Sequence, residues 1–481
     1  MLPSISLSKR LSTTENIVFL LNSVNDIPRD LFTGPEITYL RAKLKDKNKD
    51  VIPINRLGKW FFVIRMDKGK TTVKKLEKFR KTGDSLLGAI NDNKLSAVSI
   101  FDLSGKPAET LALAEGLVLG NYRFLKYLKD AAEKEPSLKS VEIISKQIKN
   151  EAVERLNIVC EAVYRCRSLV NEPLSSLNAE KLASEFTEMG EQSGVKVEVF
   201  TKNRIEAMRM GGLLAVNRGS IDPPTFTIME YKPEKPVNKQ PVVFVGKGVV
   251  YDTGGLSLKP STSMDTMKSD MAGAAAVATA IYAIAKAKLP IHVISLVPAT
   301  DNRPDGNATV PGDIITMMDG TTVEVMNTDA EGRLILADAL TYAKNYNPML
   351  VIDLATLTGA AVAALGTIGI AGMHAKAGKY FDLLHESGTQ VHERIAEFPM
   401  WDDYSDLIKS DIADLKNIGG RYAGTITAAK FLQHFTSYPW IHLDIAGPSF
   451  LDKKDSYRSA GGTGTGVRLL FNMAAILSER S

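Results

Sequence analysis

Two carboxylates and a guanidinium fall within five positions of the chain: Asp329, Glu331 and Arg333, in the run NTDAEGRL at 327–334. An apolar pattern of helical spacing follows at once (Leu334, Leu336, Ala337, Leu340). The acids therefore belong to a turn that leads into a helix, not to one face of that helix. A second set stands earlier in the chain. Lys247 interrupts the apolar run 242–250, and Asp252, Gly254, Gly255, Lys259 and Asp270 come after it. A lysine inside such a run must be paired, neutralised or coordinated, because burying a bare ammonium is prohibitively unfavourable. Asp252, Asp329 and Glu331 all lie at expected ends of buried strands or in the loops beyond. If they met they would repel strongly unless cations neutralised them. Carboxylates with one nitrogen donor suit divalent Zn, Mn, Co or Mg, and four acids with one lysine suffice for two ions.

Taken singly, each residue has a structural explanation. Asp270 opens an Ala-rich helix and reads as an N-cap or first-turn acid. Asp252 reads as a turn aspartate, Lys247 as a buried ion-pair partner, and NTDAEGRL as a surface salt-bridge cluster. Other chemistries find less support. The six histidines, at 292, 374, 385, 392, 434 and 442, form no HExxH; His385 and His392 could share a helix face, but no acid at ligand spacing completes a site. The run GGTGTG at 461–466 lacks the spacing of a dinucleotide or P-loop fingerprint, and no GxSxG nucleophile elbow occurs.

The elements that must hold these residues are four short runs of buried-strand type, 242–250, 291–297, 349–354 and 440–445. Helical patterns at 272–287, 334–346 and 428–435 separate them. Continuous apolar strands with helices between them predict a largely parallel sheet covered on both faces, with functional groups just beyond its strand C-terminal ends. In the front part, apolar runs at 16–21, 60–65 and 97–103 alternate with helical patterns such as 71–90, which makes a smaller α/β domain. From 145 to 170 the pattern is continuously helical until Asn171, Glu172 and Pro173 break it, and a helix capped by Asn178 follows. The expected organisation is an N-terminal α/β domain over 1–145, a connecting helix over 146–170, and a larger C-terminal α/β domain over 171–481 with a mostly parallel central sheet flanked by helices.

The 481 residues carry 44% hydrophobic and 24% charged side chains, which argues against disorder, fibrous repeats and disulfide scaffolds. The two cysteines, Cys160 and Cys166, point to different faces of a helical pattern and read as buried thiols. The N-terminus lacks the features of a signal peptide, so a cytoplasmic location is expected. The uncharged stretch 354–373 is broken by glycines and threonines and reads as buried backbone near a site, not as a membrane span. Charge is uneven: residues 1–150 hold 27 Lys and Arg against 17 Asp and Glu, whereas the remainder holds 32 against 38. The basic run at 68–81 reads as a solvated helix face, with a nucleic-acid patch as the alternative.

The strings VGKGVVYDTGG, KSDMAGAAA and above all NTDAEGRLILADAL resemble the signatures of the leucyl aminopeptidase (cytosol aminopeptidase) family. The segments at 411–432 and 440–447 add to the likeness, which runs from about Asn171 to the C-terminus. The resemblance implies a peptidase that removes leucine-like, apolar N-terminal residues from peptides with a free N-terminus, using a water activated by two metals. By it, Asp252 and Glu331 bridge two ions, Mn or Zn with Co or Mg as further options. Asp329 completes one site, and Lys247, as a neutral amine, completes the other with Asp270. Lys259 polarises the scissile carbonyl, and Arg333 holds a bicarbonate that acts as general base. Met267, Thr356, Gly359 and Ala446 line the pocket for the N-terminal side chain, with the Leu357 carbonyl near the amine. The resemblance further implies a homohexamer. The alternative is an additional DNA-binding, regulatory role through the basic N-terminal domain of that hexamer.

Overall fold

The computed structural model describes residues 2–11, 16–46, 51–66 and 69–480. Lys68, the first residue of the basic run, lies outside the described residues. The chain divides into two compact units, one of Met1–Tyr164 with Lys453–Ser459, the other of Arg165–Asp452 with Ala460–Ser481. The helix Asn150–Asn171 contains the point at which the first unit ends.

In the first unit a sheet of six strands runs in the order Ser4–Ser8, Ser140–Ile144, Ala97–Asp102, Ile17–Leu21, Lys59–Arg65, Val51–Arg56. Every neighbouring pair is parallel except the last. Ile17, Phe19, Leu21, Phe61 and Val63 build one core on this sheet with Phe32 and Leu40. The helices Val73–Asp92 and Pro107–Gly120 approach closely enough that a Cβ on Gly116 would lie 1.9 Å from the Arg80 carbonyl oxygen. Only glycine permits that contact.

The second unit is built on a sheet of nine strands. Its parallel centre is Trp440–Asp444, Leu350–Ala355, Val242–Gly246 and Val293–Asn302. Antiparallel strands Ile370–Ala375 on one side and Thr225–Tyr231 then Lys196–Phe200 on the other extend it. The short strand Ile395–Glu397 completes the first edge, and Gly248–Asp252 runs beside Val293–Asn302. Burial on both faces of the central strands explains their predominantly apolar sequences. Val243, Val245, Ile294, Leu296 and Val351 share a core with the helix Glu331–Ala343. Gly246, on the opposite face of its strand, meets the helix Ala272–Lys286, where a Cβ would come 2.6 Å from the Ala274 Cα.

The structure corrects several sequence boundaries. The run 242–250 is two strands broken at Lys247, not one. The uncharged stretch 354–373 contains the end of a strand, the helix Gly359–Leu365 and part of another strand. Among the described residues no helix is long and apolar enough to cross a membrane.

Candidate metal centre

The strand break at Lys247 is made by the main chain of both neighbours. Its N–H donates to the Leu354 carbonyl at 3.0 Å, and its carbonyl accepts from Ala274 N–H at 2.9 Å. The side chain is 3% exposed, with Nζ 2.7 Å from Asp270 Oδ2 and 2.8 Å from Glu331 Oε1. Nζ also donates to the Thr356 carbonyl at 3.0 Å. The glycine of NTDAEGRL makes room for it, since a Cβ on Gly332 would lie 2.5 Å from Lys247 Cε. Burial disfavours the ammonium, but Asp270, Glu331 and Asp252 outweigh it and raise the lysine's pKa. Without an ion, Lys247 is a cation among acids.

Asp252 ends the strand Gly248–Asp252 and is 2% exposed. Its Oδ1 accepts from Gly254 N–H and Asn302 Nδ2, both at 2.8 Å, which leaves Oδ2 to face Lys259 Nζ at 2.8 Å. Burial and the Glu331 charge push this carboxyl up to about 6 against the pull of Lys247 and Lys259. Gly254, at φ +85, turns the chain so that Lys259 returns to the same acids; its Nζ also touches Asp329 Oδ1. Burial works against the Lys259 ammonium too, and Asp252 overrides it.

Asp270 is not the helix cap that its position predicts. The helix Ala272–Lys286 has Met271 at its N-cap and no side-chain cap. The Asp270 carboxylate turns inward instead, where Oδ1 accepts from Thr356 Oγ1 at 2.7 Å and Oδ2 faces Lys247. Burial raises its pKa well above the usual carboxylate range despite Lys247.

The two acids of NTDAEGRL belong to consecutive elements. Asp329 sits in the 3-10 turn Thr328–Ala330, whose cap Asn327 accepts from Asp329 N–H at 2.8 Å. Glu331 is already the first residue of the helix Glu331–Ala343 and is 2% exposed. Burial opposes its ionised form, but Lys247 prevails and lowers its pKa, whereas burial and Glu331 raise that of Asp329. One oxygen each from Asp252, Asp329 and Glu331 lies within 4.8 Å of the others.

Arg333 is buried, and its Nη1 donates to the Asn417 carbonyl at 2.6 Å. Its Nε has no hydrogen-bond partner, and among the described residues it forms no ion pair. Burial lowers this guanidinium to about 10, against the nearby charges of Glu331, Asp444 and Asp329.

The expected pocket residues fall into two groups. Thr356 is tied to Asp270 and Lys247, and Met267 opens the 3-10 turn that Asp270 closes. Leu357 and Ala446 come together through Asp444, whose Oδ1 accepts both their N–H groups at 3.1 Å and whose Oδ2 accepts Thr358 Oγ1 at 2.7 Å. Gly359 is exposed at the first turn of the helix Gly359–Leu365.

Sequence reasoning missed four residues that hold the others: Asn302, Thr328, Asn417 and Asp444. Thr328 Oγ1 donates to the Gly254 carbonyl at 2.6 Å and accepts from Ser257 N–H at 2.8 Å, joining the two acid-bearing loops. Asn302 and Asp444 each end an apolar strand of the central sheet, which is the signal that could have found them.

The donor set fits divalent cations. Four carboxylates, Asp252, Asp270, Asp329 and Glu331, crowd two ammoniums, and Glu331 Oε2 is buried without a hydrogen-bond partner. Asp270 Oδ2 and Asp329 Oδ1 meet their lysines at ion-pair distance without hydrogen-bond alignment. Hard oxygen donors in surplus, with an amine beside them, suit a divalent cation.

Residues 164–471 match the model of the cytosol aminopeptidase family, catalytic domain. A protein of Chlorobium limicola named as a probable cytosol aminopeptidase is 44% identical over 478 residues, covering 94% of each chain. One of the same name from Clostridium perfringens is 42% identical over 427 residues and 86% of each. Among solved structures, the bottromycin maturation enzyme BotP in complex with Mn has a TM-score of 0.84 at 32% identity, covering 96% of this chain and 99% of that one. A tomato leucine aminopeptidase mutant has a TM-score of 0.85 at 27% identity, covering 98% of this chain and 96% of that one.

Proposed function

This chain belongs to the cytosol aminopeptidase family and is a metal-dependent aminopeptidase, and from that premise we propose how its own residues divide the work. The observation that carries the proposal is the surplus of buried acid over ammonium at the ends of the parallel strands. Asp252, Asp329, Glu331, Asp270 and Lys247 would hold two divalent ions, with Mn and Zn the first choices and Co or Mg further options. Bound ions would supply Lewis acidity and lower the pKa of a water so that hydroxide is available at neutral pH.

Lys247 must give up its proton to serve as a ligand, so metal loading is expected to release protons. Lys259 keeps its charge and points it at the reacting carbonyl, where an ammonium stabilises the developing oxyanion. Arg333, lacking an acid partner, holds a planar anion such as bicarbonate through its Nε edge. Asp444 fixes Leu357 and Ala446 as two walls of a pocket, with Met267, Thr356 and Gly359 as the others. That apolar lining favours leucine-like N-terminal residues, although a pocket of this kind discriminates by only about 1 to 3 kcal/mol per methylene. These residues all belong to the sequence region 171–481, which we take as the catalytic domain; 1–145 and the connecting segment 146–170 carry none of them. A homohexamer in the cytoplasm is the assembly and location we infer from the family resemblance, and Trp401, Ile412 and Tyr422, all more than half exposed, offer apolar surface for subunit contact.

The test is hydrolysis of leucinamide by the stripped and the Mn- or Zn-reloaded protein, in parallel with N-acetyl-leucinamide. Activity should vanish on chelation, return with metal and require the free amine. Failure of either ion to restore it, or equal cleavage of the acetylated substrate, removes the proposal.

A further inference from the structure

Asn417 is fully buried and lies just beyond the short strand Leu415–Lys416, which pairs in parallel with Thr322–Glu324. All of its polar groups are engaged. Its N–H donates to the Glu324 carbonyl at 3.0 Å. Its side-chain Oδ1 accepts from Met326 N–H at 2.8 Å and from Asn327 N–H at 3.3 Å, and Nδ2 donates to the Asn327 carbonyl at 2.7 Å. Its own carbonyl accepts from Arg333 Nη1 at 2.6 Å. The side chain thus grips the main chain two and three residues before Asp329, and the main chain grips the arginine four residues after it.

The hold continues toward the acids. Asn327 carries the oxygen that caps Asp329 N–H, so whatever fixes Asn327 fixes the 3-10 turn. Asparagine is the side chain this place requires. Aspartate of the same shape could accept from Met326 and Asn327 but would lose the donor for the Asn327 carbonyl, and alanine would remove the partner of three main-chain groups.

We propose that Asn417 is a positioning residue for the reaction: it sets the turn that presents Asp329 and Glu331 and, through its carbonyl, the direction of Arg333. The proposal rests on the assignment of those three residues to the metal and anion sites. A loop tie with no other consequence would lower stability alone. A positioning residue changes ion affinity and turnover in a folded protein, because groups that orient a metal's ligands typically govern affinity or rate by about 10- to 100-fold.

The experiment titrates Mn2+ into the metal-stripped wild type, N417A and N417D by calorimetry, then measures kcat and KM of the Mn-loaded proteins on leucinamide, with thermal melts in parallel. N417A should bind Mn2+ about 10- to 100-fold more weakly and lose a similar factor in kcat while KM stays within about threefold. N417D, which keeps the acceptor for two N–H groups, should fall between the two. Wild-type Mn2+ affinity and kcat in folded N417A would overturn the inference. If N417A does not fold, N417D decides: unchanged affinity and kcat there, or a lowered melting temperature as its sole effect, overturns it as well. The Mn2+ titration needs no catalysis, so an inactive wild type would sink the aminopeptidase assignment of these residues while leaving this inference to be judged on affinity.

Discussion

One acid within the central sheet and a group of acids beyond its strand ends are built on opposite principles. Asp353 sits within the strand Leu350–Ala355, paired in register with His442 on one neighbour and Val245 on the other. Its Oδ2 accepts from Trp440 Nε1 at 2.7 Å and its Oδ1 faces His442 Nδ1 at 2.5 Å, and all three residues are fully buried. Burial disfavours the imidazolium, but Asp353 outweighs it and raises the pKa of His442, and both oxygens of this one acid have a partner. The group around Asp252 lies past the strand ends, where no register fixes partners. There four carboxylates share two ammoniums, and one buried oxygen of Glu331 is left over. Buried charge therefore does not mark the site; a surplus of acid over basic partners does.

If that contrast is real, removing an acid should have opposite signs in the two places. D353A leaves His442 buried without its partner and should cost about 3 to 5 kcal/mol of stability. D270N in the metal-stripped protein should raise stability. Burial raises the Asp270 carboxyl well above its usual range despite Lys247, so its ionisation opposes folding, and the amide removes that opposition. Urea unfolding of both variants at pH 7 is the measurement, and a loss in stripped D270N as large as that in D353A breaks the comparison.

Lys259 sharpens it at a smaller scale. Without metal the residue neutralises Asp252 and Asp329; in the reaction its charge is assigned to the substrate carbonyl. Loss of one oxyanion donor typically lowers turnover by about 10²- to 10³-fold, and K259A should do so on leucinamide with metal content unchanged. A fall of less than about threefold would leave Lys259 a neutralising group and nothing more.

What the sequence disclosed follows the same division. The parallel sheet and its helices were legible because both faces of each central strand are buried, which makes the apolar runs continuous. Lys247, Asp252, Asp270, Asp329 and Glu331 were legible because charge next to such runs needs a reason, and the structure brings all five together. The resemblance of NTDAEGRL, not spacing, joined the two segments. The break at Lys247 was not legible, since Gly246 and Gly248 read as part of an apolar strand until the helix Ala272–Lys286 is seen against it. Nor were Asn302 and Asn417, because neutral asparagines at or just past strand ends are ordinary in a sequence and gain meaning only from the groups they reach.

Asp338 is the intermediate case and supplies the smallest effect. It is fully buried in the helix Glu331–Ala343, among the described residues it forms no ion pair, and its oxygens accept from Leu213 N–H at 2.9 Å and Met318 N–H at 3.0 Å. Burial pushes the carboxyl up to about 7, against the pull of those N–H groups and that of Gly212. The folded state then holds the Asp338 proton more tightly than the unfolded chain does, so between about pH 4 and pH 7 its contribution to stability declines as the pH rises, and it levels off above. In D338N that dependence is absent. The stability of the wild type minus that of D338N should therefore fall by more than about 1 kcal/mol from pH 5 to pH 8, given about 1.4 kcal/mol for each tenfold change in proton affinity. A difference that rises over that range would mean that the three N–H donors outweigh burial, and Asp338 would then belong with Asp353 as an acid fully served by its neighbours.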